Sequence, residues 1–404
     1  MMMIPQLNPG YYQKKSNRSL SLQLLFSHGT LSRTDIAECL NITTAAVTVI
    51  ANELLQSGLV VQQDSIQSDT PKAGRRKAPL SLNFNWKYVL AIDIHSYYVN
   101  IAVTNLRGDI IVEGDSFPPD NSSPEKLVST ISKECLSMLW KASIPVEKLL
   151  GVGVTIIGPV NQLEGVALHP FRLFDQPVML RKYFEAEFPV PVAVESNVCA
   201  FLVSELLYTN IAIQNPNILI LKWGPGIGSA MAIEGHIYKG RNFQSTEVGH
   251  NRITDKGLRR CNCGRDGCLE PYISTDAIAE YIAQLIAKNP DGILAETARL
   301  HGEPTRSNLP VFLDTKDPEL FSFLDHCAHL LANVTGNALL TLFPDKVILM
   351  GDLFDRDDIV ALFEKNLYRQ SIDLPADLCL RNRTISEAKY IGATAIAIDQ
   401  ILLK

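Results

Sequence analysis

The sequence predicts an α/β protein in two parts, a small winged helix-turn-helix followed by a two-lobed α/β body. Three observations predict it. A basic, helix-rich stretch precedes an acidic remainder; a set of strands followed by αβα units occurs twice; and His250, Cys261, Cys263 and Cys268 crowd into one short segment. The 404 residues are 46% hydrophobic and 20% charged, enough apolar material for about two to three cores. That composition excludes a disordered, collagen-like or disulfide-framework chain. No apolar run approaches the ~20 residues that span a bilayer, and Met1–Pro5 is no signal peptide. The expected location is the cytoplasm, with no part embedded in a membrane.

Charge divides the chain. Residues 1–86 carry eight Lys/Arg against five Asp/Glu, a surplus of +3 in a chain whose net charge is −6, so the remainder stands at −9. Four cations (Lys72, Arg75, Arg76 and Lys77) fall together, with no acid between Thr70 and Trp86. A basic module ahead of an acidic one suggests a polyanion-binding head, although a solvated linker would carry the same charge run.

The head's pattern is more informative. Leu20, Leu22, Leu24 and Leu25 recur in a helix that Gly29 stops. Ser32 and Asp35 have capping-box spacing at the start of a short second helix bearing Ile36 and Leu40. Thr43 can cap a third helix through Gln56, with Val47, Ile50, Leu54 and Leu55 on its apolar side. Leu59–Val61 and Leu80–Asn83 read as strands flanking the basic loop. In a module of this kind the third helix enters the major groove. With Val47 and Ile50 turned to the core, Thr44, Ala45, Thr48, Val49 and Asn52 face outward. Thr and Val suit thymine methyl groups, and Asn can pair bidentately with adenine. That face has no cation, so phosphate attraction falls to Lys14, Lys15, Arg18, Arg33 and the wing. Gly74–Pro79 forms a flexible basic loop suited to a narrow A·T minor groove. A protein-binding winged helix is the competing reading.

The body begins with β-rich runs at Tyr88–Ile94, Tyr98–Asn105 and Asp109–Ser116, a helix at Pro124–Trp140 and an apolar strand at Gly151–Ile157. Strand Val192–Glu195 and helix Val198–Tyr208 follow, then new strands at Ile218–Trp223, Ser229–Glu234 and His236–Tyr238. Two such sets imply two related lobes around a cleft, the actin-like, ribonuclease H-like arrangement found in sugar kinases. His250, Cys261, Cys263 and Cys268 supply one imidazole and three thiolates, a closed tetrahedral shell for structural Zn2+. A redox-active thiol cluster is the alternative.

The run Glu247-Val248-Gly249-His250, with Cys261-Asn262-Cys263-Gly264-Arg265-Asp266-Gly267-Cys268-Leu269-Glu270, resembles the signature of the ROK family (repressors, open reading frames, sugar kinases). Gly153–Gly165, the Gly224–Gly228 loop and Ile391–Ala395 resemble that family's sugar-side turn, phosphate loop and closing helix. The winged helix with its Gly-Arg-Arg wing resembles the repressor branch, the Mlc/NagC-type regulators of sugar uptake. The resemblance implies boundaries of 1–86 for the head, 87–196 with 386–404 for a small lobe and 197–385 for a large lobe with the zinc site. It also implies sugar contacts at Ser196, Asn197, Glu247, His250 and Glu270; support of the zinc ligands is the competing reading for Glu247 and Glu270.

The kinase motifs depart from the family's pattern. Asn197 stands where the catalytic Asp would, Asp93-Ile94-His95-Ser96-Tyr97 replaces the first glycine-rich phosphate loop, Pro225 replaces Thr, and Met350-Gly351-Asp352 replaces a triple glycine. Phe171 replaces a sugar-binding Asn. No catalytic residue and no ATP are expected. The resemblance implies a homodimeric or homotetrameric repressor of carbohydrate genes that binds operator DNA. Its control would come from a sugar, a sugar phosphate or a sugar-transporter subunit. A sugar kinase with a fused DNA-binding domain is the alternative.

Overall fold

The computed structural model describes residues 16–63, 78–211, 215–370, 373–382 and 388–404. The expected DNA contacts Lys72, Arg75, Arg76 and Lys77, and the cations Lys14 and Lys15, lie outside the described residues. The chain divides into two compact units. One comprises Met1–Pro216, Ala232–Gln244 and Glu387–Lys404, the other Asn217–Met231 and Ser245–Ser386.

The first unit opens with helices α1 (Asn17–His28), α2 (Arg33–Leu40) and α3 (Thr44–Gln56). Hydroxyl side chains cap all three: Ser16 accepts from Ser19 N, Ser32 from Asp35 N and Thr43 from Ala46 N. Ser32 and Asp35 form the reciprocal capping box that their spacing predicts. Strands β1 (Val60–Gln62) and β2 (Leu80–Leu82) pair antiparallel, with Val60 opposite Leu82. Three helices and a two-stranded ladder are the elements of a winged helix-turn-helix.

The sheet that follows uses β3 (Tyr88–Ile94), β4 (Val99–Thr104), β5 (Ile110–Glu113) and β6 (Leu149–Ile156), with helix α4 (Pro124–Lys141) between the last two. After a short hairpin of β7 (Val160–Asn161) and β8 (Val166–Ala167), helix α5 (Leu180–Glu187) leads to β9 (Val192–Ser196) and helix α6 (Asn197–Tyr208). The strand order is β5-β4-β3-β6-β9, with β3, β6 and β9 parallel. β6 is buried along its whole length, as expected of a strand covered on both faces. The closing helix Ile391–Ala397 presses so near β6 that a Cβ on Gly153 would collide with Ala393 O, so only glycine fits there.

The head is packed against this sheet's helices. Leu22, Leu25 and Phe26 of α1 share one apolar core with Ala200, Val203 and Leu207 of α6 and with Ile396, Ile398 and Leu402 near the C-terminus. Phe26 also meets Phe84 and Tyr208 edge-on, and Tyr208 Oη donates to Leu106 O at 3.0 Å. α6 therefore runs from Asn197 at one end to the head at the other.

In the second unit β10 (Ile218–Trp223) lies beside β11 (Ile227–Ile233) and parallel to β13 (Lys346–Met350), which is parallel to β14 (Cys379–Leu380). The last residues of β11 pair with β12 (His236–Ile237) in a hairpin that belongs to the first unit. The second unit's core gathers Trp223, Phe312, Phe354 and Phe363 around the helix Pro318–Leu342. No helix among the described residues is long and apolar enough to cross a membrane.

Candidate functional site

The cysteine loop folds on tight backbone turns. Gly264 and Gly267 adopt φ values of 86° and 76°, a region costly to any residue with a Cβ. Cys261 N donates to Arg265 O at 2.8 Å and Gly264 N to Cys261 O at 3.0 Å. The result brings His250, Cys261, Cys263 and Cys268 together, with their ligand atoms all within 4.8 Å of one another. A tetrahedral zinc with bonds of about 2.3 Å to sulfur places two sulfurs about 3.8 Å apart. Cys263 Sγ and Cys268 Sγ are 3.7 Å apart, and Cys261 Sγ lies 3.4 Å from His250 Nδ1. The donor set fits a closed metal centre.

The electrostatics suit that role. Burial, aided by Arg265, pushes the His250 imidazole down to about 4, keeping it neutral as a metal ligand must be. Burial raises the Cys261 and Cys268 thiols. At Cys263 burial acts the same way but hydrogen bonding from Arg265 and the neighbouring thiols outweighs it, and the thiol is lowered. Nδ1 of His250 faces the sulfurs, while Nε2 points toward Glu247 Oε2, 3.8 Å away. The two ring nitrogens thus separate a thiol side from a carboxylate side.

Glu247 and Glu270 are also neighbours. Burial and the Glu270 carboxylate push Glu247 up to about 7, against the pull of Arg265. Glu270, at the start of the short helix Glu270–Ile273, accepts from Ile227 N at 3.1 Å. The second unit therefore brings three of the expected sugar contacts (Glu247, His250 and Glu270) into one cluster around the metal ligands. Ser196 and Asn197 belong to the first unit, at the β9–α6 junction. The Ser196 hydroxyl caps α6 by accepting from Cys199 N at 3.4 Å, and Asn197 is buried. The Phe171 ring closes on Gly158, where a Cβ would meet it at 3.3 Å.

The two loops that the family resemblance matches to phosphate loops both make hydrogen bonds within the chain. Asp93 Oδ2 lies 2.9 Å from His95 Nε2, and Asp93 Oδ1 accepts from Thr155 Oγ1 at 2.6 Å. His95 N donates to Tyr98 O at 2.9 Å, and the two rings stack. In the second loop Gly224 N donates to Gly226 O at 3.3 Å, Pro225 has no N–H, and Ile227 N is taken by Glu270. The Asp93–His95–Thr155 network was not foreseen, since His95 lies one residue past the end of β3 and Thr155 is on β6.

On α3, Thr44, Ala45, Val49 and Asn52 are exposed and Thr48 is half-buried, while Val47, Ala51 and Leu54 are buried. The expected outward face is present. Arg33 begins α2 and is half-buried. Arg18, expected to attract phosphate, instead has its Nε on Glu53 Oε1 at 2.9 Å and its Nη1 on Leu402 O at 3.4 Å. Its charge is already partnered, and it ties α1 to α3 and to the C-terminus.

Comparison with known proteins places these features. The xylose repressor of Caldicellulosiruptor bescii is 27% identical over 273 residues, 68% of this chain and 67% of its own length. A solved ROK family transcriptional regulator, homologous to the Escherichia coli Mlc protein, aligns with 96% of this chain and 98% of its own at a TM-score of 0.78 and 18% identity. A ROK family glucokinase from Streptomyces griseus, solved with glucose and AMPPNP, aligns with 77% of this chain and 99% of its own at a TM-score of 0.66 and 20% identity. The regulator shares the fold over nearly the whole chain, the kinase over about three quarters. The sequence profile of the ROK family matches residues 89–400, and the chain belongs to that family.

Proposed function

We propose that this chain is a sequence-specific DNA-binding transcriptional regulator, a repressor of carbohydrate uptake or metabolism genes, whose body senses a sugar or sugar phosphate. The observation that carries the reading is the continuous core from α1 to α6. A helix that begins at Ser196 and Asn197 is packed directly on a head whose α3 turns Thr44, Ala45, Thr48, Val49 and Asn52 outward. Sequence similarity to a xylose repressor and the fold shared with a ROK family transcriptional regulator support it.

In this reading the outward face of α3 reads base edges in the major groove, and Arg33 contacts the backbone. The basic segment with Lys72, Arg75, Arg76 and Lys77 supplies sequence-independent attraction. Glu247, His250 and Glu270 take sugar hydroxyls, and Ser196 and Asn197 are the further sugar contacts that the family resemblance implies. Zn2+ held by His250 Nδ1, Cys261, Cys263 and Cys268 braces the second cluster without reacting, since four protein ligands leave it no open position. A ligand that moves α6 shifts α1, and coupling between effector and DNA is then reciprocal. A sugar-transporter subunit could bias the same element. Two copies on a palindromic operator fit a reader of this type.

Footprinting on DNA upstream of the chain's own gene, at ~150 mM salt where nonspecific attraction is weak, tests the reading. Paired protected half-sites about one helical turn or a multiple apart are expected. Protection that spreads evenly over unrelated DNA would contradict sequence-specific binding.

Residue identities and loop geometry support a body without kinase chemistry: an amide at Asn197 cannot accept the substrate proton, Pro225 has no N–H, and the Ile227 amide is taken by Glu270. The fold shared with a glucokinase keeps a working kinase as the second reading. That reading predicts sugar-dependent ATP turnover that Glu247→Ala abolishes and Asn197→Asp raises.

A further inference from the structure

A cavity lined by none of the His/Cys cluster or its carboxylates lies wholly within the first unit. It has a volume of about 170 Å³ and is lined by Gln23 of α1, Gln162 after β7, Glu195 at the end of β9, Val203 of α6, Lys239 past β12 and Gln400 near the C-terminus. Five elements of the lobe and one helix of the head thus meet around one space.

Its chemistry is uneven. Lys239 Nζ and Glu195 Oε2 form an ion pair at 2.6 Å, with the side chains only 14% and 3% exposed. Glu195 Oε1 accepts from Ser196 N at 2.7 Å, which fixes the carboxylate further. By contrast, Gln162 Oε1 and Gln400 Oε1 are both shut away from solvent and accept no hydrogen bond among the described residues. Gln400 is otherwise anchored, its Nε2 donating to Val194 O at 3.5 Å. A buried acceptor left without a donor costs about 1–3 kcal/mol. Two of them at one cavity mark a place that a donor-rich molecule would complete. The cavity holds about half a dozen waters, or one compact molecule with hydroxyls on one side and C–H surface for Val203 on the other.

We propose that this cavity is a small-molecule site in its own right, taking a neutral polyhydroxylated compound whose hydroxyls donate to Gln162 and Gln400. The proposal does not depend on the chain's recognising DNA. It does mean that an occupant would touch α1, α6 and the C-terminal segment at once, and so hold the head to the lobe.

Xylitol is the probe, and saturation-transfer NMR on the full chain is the readout, because polyols raise melting temperatures without binding. The expected result is transfer to xylitol in the wild type and in Glu247→Ala, with the dissociation constant raised about tenfold by Gln162→Leu and by Gln400→Leu, the loss of one hydrogen bond each. Circular dichroism of the two Gln variants checks that they fold, and the two lie on different elements. No transfer in the wild type overturns the proposal. So does transfer that Glu247→Ala removes, or transfer that folded Gln162→Leu and Gln400→Leu leave unchanged.

Discussion

The two units hold their functional side chains by opposite means. In the first, Ser196 and Asn197 sit at the end of a buried helix, and Leu22 of the head and Leu402 near the C-terminus belong to the same core. In the second, Glu247 and His250 lie in a single helical turn, and the cysteines lie in a loop of turns and isolated bridges. Apolar area secures one; tight turns that gather one imidazole and three thiols secure the other. Damage to the first should therefore disturb the head directly, while damage to the second should reach it only through sugar binding at Glu247 and Glu270.

Breaking the metal centre is the strongest test of that contrast. Cys263→Ser, or chelation of the wild type, should cost at least about 4 kcal/mol and lower the melting temperature by roughly 10 °C. Metal analysis of freshly purified protein should give one zinc per chain; absence of stoichiometric zinc would remove this half of the comparison.

Next in size is Leu22→Ala. Leu22 is fully buried in the shared core, and truncation should cost about 3 kcal/mol, read by urea unfolding. If core packing links head to lobe, this variant should also weaken the response of DNA binding to effector. A smaller loss that leaves the response intact would mean that the head moves independently.

Asn52→Ala should leave stability unchanged, since the side chain is exposed. It should relax discrimination at one base pair by about 1–3 kcal/mol, measured with operator variants in a binding assay. A uniform loss across all sequences would reassign Asn52 to phosphate contact.

The smallest effect concerns the second unit's surface. Burial works against ionisation of Asp358, but Arg356 and Lys316 outweigh it and hold the carboxyl at about 2. A depressed folded-state value contributes stability above about pH 4 that is lost as pH falls toward 2. Because the group is partly exposed, Asp358→Asn should cost only about 0.5 kcal/mol at neutral pH, and the difference from wild type should shrink below pH 4 in acid titrations of unfolding.

Much of this was legible in the sequence because it depends on local spacing. The caps Ser32 and Thr43, the stop at Gly29, strand β3 and the Cys-x-Cys-x4-Cys run each specify geometry within a few residues. What escaped was set by contacts between distant residues. Nothing near Lys239 announces Glu195, 44 positions earlier, and nothing near Arg18 announces Glu53 or Leu402. The helices between Thr275 and Asp314 went unread although the first carries a Ser274 cap and buries Ile278, Ile282 and Leu285 at helical spacing. Arg265 could have been found, because a cation inside a thiolate loop has an evident electrostatic use.

The central claim is that sugar recognition at the carboxylate cluster is coupled to DNA recognition by the head. Fluorescence anisotropy with a footprinted operator, across sugars and sugar phosphates with xylose first, tests it most directly. The account predicts that at least one compound changes operator affinity by about tenfold or more, and that Glu247→Ala abolishes the change while retaining operator binding. Operator affinity that stays the same with every compound, or a change that survives Glu247→Ala undiminished, would contradict it.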